Sequence, residues 1–326
     1  MSDAMQARAG AAAIEVLKPG ALSTFQDLGR HGFQQLGVPA NGAMDERAHR
    51  LANALVGNAA SCATLEVTLM GPALRFHTAA TVAVCGADLE ATIDGEPLPS
   101  AQARVVPAGA TLAFGKRRRG LRAYLAVGGG FALEAVMGSH STFVRGGYGG
   151  VQGKPLRKGD VIALRAPHTR LPVLPSGGSL FSSEPESAPD APIRVVAGRE
   201  WRHFHADAHA AFTGGAFRIG ARSDRMGYRL EGPALPLGAP LELQSEAVGF
   251  GTIQVPPDGQ PIVLMADRQT TGGYPKIGHV IAVDLPRLAQ RMPGETVRFA
   301  LVELAYAQRL ALLQDAAFAA LEAARD

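Results

Sequence analysis

Glycine and proline are spread along this chain in a way that rules out a helical bundle. There are 39 glycines and 22 prolines among 326 residues. They separate short apolar runs such as Val82-Ala83-Val84-Cys85, Ile262-Val263-Leu264-Met265 and Val280-Ile281-Ala282-Val283. Proline removes a donor from a helix interior and glycine loosens it. Short β-prone runs bounded by turn residues are read instead as strands, and many of them in series as sandwiches or barrels. The expected fold is mainly β, with the length of two ordinary domains or one large one. One helix is predicted from Asp45, where Ala48, Leu51, Ala52, Leu55 and Val56 recur on one face and Gly57-Asn58 ends the run. Arg47, Arg50 and Asn53 are expected to face away. A second helix, rich in Ala, Leu and Glu, is expected at the C-terminal end, from Val302 to Arg325.

Residues 1–13 are small and polar and are expected to form a disordered leader, with neither a signal peptide nor a membrane span. Residues 166–192 turn rich in Pro, Ser and Gly, the composition of a linker. The expected division is thus an N-terminal module over 14–165, this linker, and a C-terminal module over 193–326. A faint internal echo supports two related modules. Gly71-Pro72-Ala73-Leu74 matches Gly232-Pro233-Ala234-Leu235, and Asp94-Gly95-Glu96-Pro97 matches Asp258-Gly259-Gln260-Pro261. Gly109 to Phe114 resembles Gly294 to Phe299. The spacing widens before the third match, which makes Asp267 to Arg291 an expected insertion.

The formal charge is +3, and the basic run Lys116-Arg117-Arg118-Arg119 reads as a solvated turn, so neither nucleic acid nor membrane is expected as a partner. Two cysteines, Cys62 and Cys85, without C-x-x-C spacing fit a reducing, cytoplasmic location. No phosphate loop, G-x-S-x-G elbow or H-E-x-x-H motif is present. His205 and His209 stand four apart, but no third ligand accompanies them, and a solvated helix face is the better reading.

Chemistry concentrates in three polar clusters. The first is Gln26-Asp27-Leu28-Gly29-Arg30; the second runs from Ser223 through Arg225 and Tyr228 to Arg229. The third is Asp267-Arg268-Gln269-Thr270-Thr271-Gly272-Gly273-Tyr274-Pro275-Lys276. The third has more donors and acceptors than a turn requires, and its glycines allow close backbone approach. Together the clusters supply cations, carboxylates, hydroxyls and free N–H groups, which suit a small polar or anionic substrate.

With these clusters in place, the chain resembles the biotin-dependent carboxyltransferase-like family, also called allophanate hydrolase subunit 2, which includes KipA and the PxpC component of 5-oxoprolinase. The resemblance rests on TFQDLGRHGFQQLGVPANGAMD at Thr24–Asp45, ANALVGN at Ala52–Asn58 and LEVTLMGP at Leu65–Pro72. It continues with RAYLAVGGGF at Arg122–Phe131, SDRMGYRLEGP at Ser223–Pro233 and QTTGGYPKIG from Gln269. One departure is Lys154 before Pro155-Leu156, where the family pattern leads one to expect arginine; it keeps the charge and loses the fork. The resemblance implies tandem cyclophilin-like β-barrel modules with a few short helices. It also implies partners, a PxpB/KipI-like subunit and a PxpA (LamB/YcsF-like) subunit, in an enzyme that hydrolyses 5-oxo-L-proline to L-glutamate with ATP and Mg²⁺ at the level of the complex. Two alternatives stay open. One is a carboxyltransferase component acting on urea or a similar small amide with a biotinylated partner, since this chain shows no biotin-carrier segment of its own. The other is a KipA-like regulator that binds a KipI-like kinase inhibitor.

For a small amide or lactam substrate, the expected catalytic residues are Asp27, Asp267, Thr270, Thr271 and Lys276. Those expected to bind substrate are Gln26, Arg30, Arg225, Tyr228, Gln269, Gly272, Gly273 and Tyr274. Arg225 or Lys276 would hold a carboxylate or phosphate. The threonines and the Gly272-Gly273 amides would face developing negative charge. Asp27 or Asp267 would be general base, or would orient an arginine.

Overall fold

The computed structural model describes residues 12–172 and 191–323. The leader expected over residues 1–13 and the linker expected over 166–192 fall mostly outside these. The described residues form two compact units, one made of residues 12–30, 45–172 and 321–323, the other of 31–44 and 191–320. The division expected from composition was linear; the observed one is discontinuous. Residues 31–44 group with the second unit because Met44 lies in its core and Asn41 and Gly42 bond to its Asp267 and Arg225.

The first unit holds β1 (Ala13–Lys18), β2 (Leu22–Gln26), β3 (Thr64–Thr68), β4 (Ala73–Phe76), β5 (Ala80–Asp88) and β6 (Thr92–Ile93). It continues with β7 (Glu96–Pro97), β8 (Ala103–Val106), β9 (Thr111–Ala113), β10 (Arg119–Val127) and β11 (Val161–Ala163). They make two sheets, ordered β11-β1-β4-β9-β6-β7 and β2-β3-β10-β5-β8. Period-two alternation sends Leu74 and Phe76 of β4 inward and Arg75 outward. The inward residues of both sheets, among them Ile14, Val16, Phe25, Leu65, Val67 and Leu112, share one apolar core. Strand β10 is buried on nearly its whole length, because it pairs on both edges and helix α1 (Glu46–Leu55) packs on it.

Helix α1 starts as expected. Asp45 caps it, accepting from the Ala48 N–H at 2.8 Å. Its buried face differs from the apolar count: Asn53 and His49 are buried, while Leu51 and Leu55 are half-exposed. The reason is polar pairing beneath the helix. The Asn53 amide donates to Cys62 O at 2.8 Å, and the His49 ring nitrogens lie 2.8 Å from Thr64 Oγ1 and 2.9 Å from Ala60 O.

The second unit adds β12 (Ile193–Ala197), β13 (Phe217–Ile219), β14 (Gly227–Glu231), β15 (Glu246–Ala247) and β16 (Thr252–Gln254). After these come β17 (Ile262–Leu264), β18 (Thr271–Gly272), β19 (Lys276–Val280), β20 (Thr296–Val297) and β21 (Phe299–Leu301). Eight strands form one sheet in the order β20-β13-β14-β17-β16-β19-β12-β21. Its two edge strands are consecutive in sequence, with only Arg298 between Val297 and Phe299. A sheet whose edges are joined by one residue has to curl into a nearly closed barrel. Phe212, Phe217, Phe299, Tyr228 and Ile253 fill it. Helices α2 (Ala206–Gly214), α3 (Leu285–Ala289) and the C-terminal α4 (Leu304–Ala323) complete the chain. The mainly β expectation holds.

Strand β19 lies between β16 and β12, in the middle of the sheet, so Asp267 to Arg291 is not an appended insertion. The echo itself is geometric at the turns. Gly95 and Gly259 both take positive φ, as do Gly109 and Gly294. Gly109 N–H donates to Phe76 O and Gly294 N–H to Ile219 O, each at 2.7 Å. The strands served differ in order, however: β4 follows its Gly-Pro, whereas β13 precedes Gly232-Pro233. The repeat is shared turn chemistry at this point, and its sequence order is not kept in the topology.

Candidate functional site

The first polar cluster lies in the first unit, and the second and third lie together in the second. In the first, Gln26 ends β2 and Asp27 begins the loop after it. Both Asp27 oxygens are occupied: Oδ1 accepts from Ser141 Oγ at 2.6 Å, Ser139 Oγ at 2.7 Å and Gly29 N–H at 2.9 Å, and Oδ2 from His140 N–H at 2.6 Å. Burial alone would push its pKa up, but the bonds from Ser141, Ser139, His140 and Gly29 outweigh it and hold the carboxyl below its usual value. A carboxylate so satisfied is a weak base, and this geometry speaks for an organising role in place of the general base expected of Asp27. Arg30 is fully buried, donates to Val136 O at 2.9 Å and Ser141 O at 3.0 Å, and lies over the Tyr148 ring. Gln26 donates to Thr24 Oγ1 and Thr142 O. All three knit β2 to the loop 136–150.

In the second unit, Arg225 and Asp267 form a two-pronged pair, Nε to Oδ2 at 2.9 Å and NH2 to Oδ1 at 3.0 Å. Arg225 also donates to Gly42 O at 2.7 Å, and Asn41 Nδ2 to Asp267 Oδ1 at 2.8 Å. Asp267 therefore orients an arginine, the second of the two roles expected of it. Tyr228 is corrected more sharply: at 1% exposure it is a core residue of β14, and its hydroxyl donates to Arg291 O at 3.2 Å.

Lys276 opens β19 instead of ending the turn before it, and is only 4% exposed. Its Nζ lies 2.6 Å from Glu246 Oε1 and 3.6 Å from Glu200 Oε2; Glu200 also accepts from the Lys276 N–H at 3.0 Å. The hydrogen bond from Lys276, then its charge, hold the half-exposed Glu246 carboxyl below the ordinary range. Burial, joined by the Lys276 charge, lowers the pKa of His279 on the same strand, so its imidazole is neutral near pH 7. Above this strand a two-stranded ribbon pairs Glu246 with Gly272 and Ala247 with Thr271. Thr271 and Gln269 are exposed and Thr270, Gly272 and Gly273 half-buried. Tyr274 is 47% exposed. It borders a surface cavity of about 470 Å³ that also touches Arg222, Arg229, Asp258 and Gln260. Neither Lys276 nor Arg225 lines that cavity, so the buried ion pairs and this hollow do not coincide.

Asn41, Glu200, Glu246, Gln254, Ser139 and Ser141 escaped sequence reasoning. Asn41 stands within a quoted motif; the two glutamates carry no local signal, since their partner lies 76 and 30 residues away in sequence. The histidine pair is structural: His209 stacks on Trp201 at 4.0 Å and bonds its carbonyl oxygen. Among the described residues, no group of three or more His, Cys, Asp or Glu could hold a metal ion, and no helix is long and apolar enough to cross a membrane.

The family described as "Carboxyltransferase domain, subdomain A and B" matches residues 36–301. The chain belongs to that family. It is 39% identical over 301 residues to the C component of 5-oxoprolinase from Haemophilus influenzae, covering 91% of this chain and 94% of that protein. The corresponding 5-oxoprolinase component of Escherichia coli is 38% identical over 288 residues, covering 88% and 90%. Among solved structures, Kluyveromyces lactis urea carboxylase superposes with a TM-score of 0.88 at 30% identity, over 95% of this chain and 29% of that one. Members of the carboxyltransferase-domain family thus include both a near full-length match and a much longer chain that contains this fold as one part.

Proposed function

We propose that this chain is the PxpC component of an ATP-dependent 5-oxoprolinase, acting with PxpA-like and PxpB-like subunits to hydrolyse 5-oxo-L-proline to L-glutamate. The observation that carries the reading is the 39% identity to the C component of a 5-oxoprolinase over nearly the whole of both chains. Nucleotide and Mg²⁺ belong to the reaction at the level of the complex, and this chain's part is confined to what its own side chains and amides do.

Opening the lactam forms a C–O bond from water and breaks the ring C–N bond, whose nitrogen leaves as the amine after taking a proton. Negative charge builds on the carbonyl oxygen. The Thr270 and Thr271 hydroxyls and the Gly272-Gly273 amides are assigned to that oxygen, on the ribbon above Lys276. Arg225, held in one orientation by Asp267, or Lys276 is assigned to the substrate carboxylate. Because Lys276 is neutralised by Glu246, binding there requires the half-exposed Glu246 to yield its place. Asp27, Arg30 and Gln26 are assigned to holding the 136–150 loop.

A second reading, a carboxyltransferase component acting on urea or a related amide with a biotinylated partner, is favoured by the superposition on urea carboxylase. The test is reconstitution with PxpA-like and PxpB-like subunits and measurement of glutamate released from 5-oxoproline with ATP. ATP-dependent release supports the proposal. Absence of release with every subunit present, together with biotin-dependent carboxylation of urea, transfers the assignment to the second reading.

A further inference from the structure

One side chain beneath the ribbon keeps a buried donor unused. Gln254 ends β16 and is 2% exposed. Its Oε1 faces Gln269 Nε2 at 3.5 Å, the outer limit of a hydrogen bond, and its Nε2 is buried with no partner. A buried amide donor left in this state is destabilising, and a folded protein ordinarily avoids it unless something else takes up the bond. The register tells where the donor points. Gln254 and Lys276 are direct partners across β16 and β19, and directly opposed residues of antiparallel strands share one face. Nε2 lies 2.5 Å from where a Cβ on Gly272 would stand, so the Gly272 backbone passes directly over it. Gln254, Lys276 and the Gly272 segment of the ribbon are therefore neighbours, with two nitrogen donors beneath the ribbon.

We propose that Gln254 is a substrate-contacting residue, donating from Nε2 to the carbonyl oxygen of the small amide or lactam, with Lys276 beside it. This rests on the reading that the Lys276 patch is the substrate site. The cover is the ribbon of β15 and β18, two residues per strand. So short a pairing is marginal on its own, and Glu246, the residue that latches it to Lys276, is only partly buried. Lifting the ribbon frees both donors together, and an amide carbonyl entering beneath it satisfies the one that the closed state leaves unbonded.

The experiment uses the full ¹⁵N-labelled chain, with the Gln254 side-chain amide signal assigned by its loss in Gln254→Leu. Titration with 5-oxoproline and, separately, with urea is expected to shift that signal with at least one probe. A shift with urea and none with 5-oxoproline keeps Gln254 as a carbonyl donor and removes the 5-oxoprolinase reading. No shift with either probe at saturating concentration overturns the assignment, whatever the turnover. In a reconstituted complex that turns over 5-oxoproline, Gln254→Leu is expected to raise KM roughly tenfold, the loss of one hydrogen bond to substrate, with an unchanged or higher melting temperature. A lowered melting temperature with unchanged KM marks Gln254 as structural and sinks the proposal.

Discussion

Lys276 illustrates what a single residue inherits from its surroundings. It reads in sequence as the end of a polar turn, and in the fold it is the buried first residue of a central strand, facing two carboxylates. Lys276→Ala is expected to lower glutamate formation at least about a hundredfold while the subunits still co-elute; normal turnover would remove it from the site. His49 makes a prediction about pH. Burial is the largest influence and lowers its pKa, against the Ala60 bond and the Asp27 and Glu66 charges. The unfolded chain therefore takes up a proton below about pH 6.5 that the folded chain resists. Stability is full above that value and falls as pH drops through it. Melting temperatures measured from pH 7.5 to 5.5 should decline in the wild type and decline less in His49→Asn. A parallel slope in both would exclude His49 as the cause. At this scale the sequence showed which groups were chemically capable, since Arg225, Asp267, Gln269 and Lys276 stood in dense polar runs. It hid their state of pairing, because Asn41, Glu200 and Glu246 come from distant segments and pairing is decided by the fold.

Among elements, β12 is tied to the residue just before α3, Asp284, by a buried ion pair. Arg194 donates to Asp284 through NH2 at 2.6 Å and Nε at 3.1 Å, and its backbone N–H adds a third bond at 2.7 Å. Asp284→Ala leaves the guanidinium buried without its carboxylate, and should cost about 3–5 kcal/mol, read as a lower urea midpoint with an unchanged slope. A loss under about 1 kcal/mol would mean that Tyr306, which accepts from Arg194 NH1 at 3.3 Å, suffices as partner. The removal of the α1 cap is milder: Asp45→Ala should cost about 1 kcal/mol by the same measurement. Helix α1 was legible from its period and its cap. Its buried face was not, because hydrophobic counting has no term for an asparagine or histidine that finds partners below the helix. The same limit misplaced the start of β19, where a charged residue begins a strand because carboxylates wait for it.

The whole molecule departs most from a linear reading. A boundary at the Pro, Ser and Gly-rich stretch was the natural inference, since composition changes there and nowhere else so strongly. Yet residues 31–44 belong to the second unit, which needs Met44 in its core and Asn41 and Gly42 around Asp267 and Arg225. No compositional signal marks a segment that leaves one unit to complete another. A fragment beginning at residue 191 is therefore expected to unfold with less cooperativity and at a lower temperature than the same unit in the full chain. A full-chain melting curve from the fragment alone would show that residues 31–44 are dispensable.

Arg298 is the exposed residue between two buried ones, Val297 and Phe299, and it alone separates the first and last strands of the eight-stranded sheet. An open sheet frays from its margins inward, each outer strand exchanging its amide protons before its neighbour. Here the margins are covalent neighbours, so neither can detach without dragging the other. The amides of residues 296–301 should exchange as slowly as those of β16 and β19 in the middle of the sheet. A one-residue deletion at this point would reverse the inside and outside of β21 relative to β20. The seam of this barrel is one residue wide, and length at that position is constrained more tightly than identity.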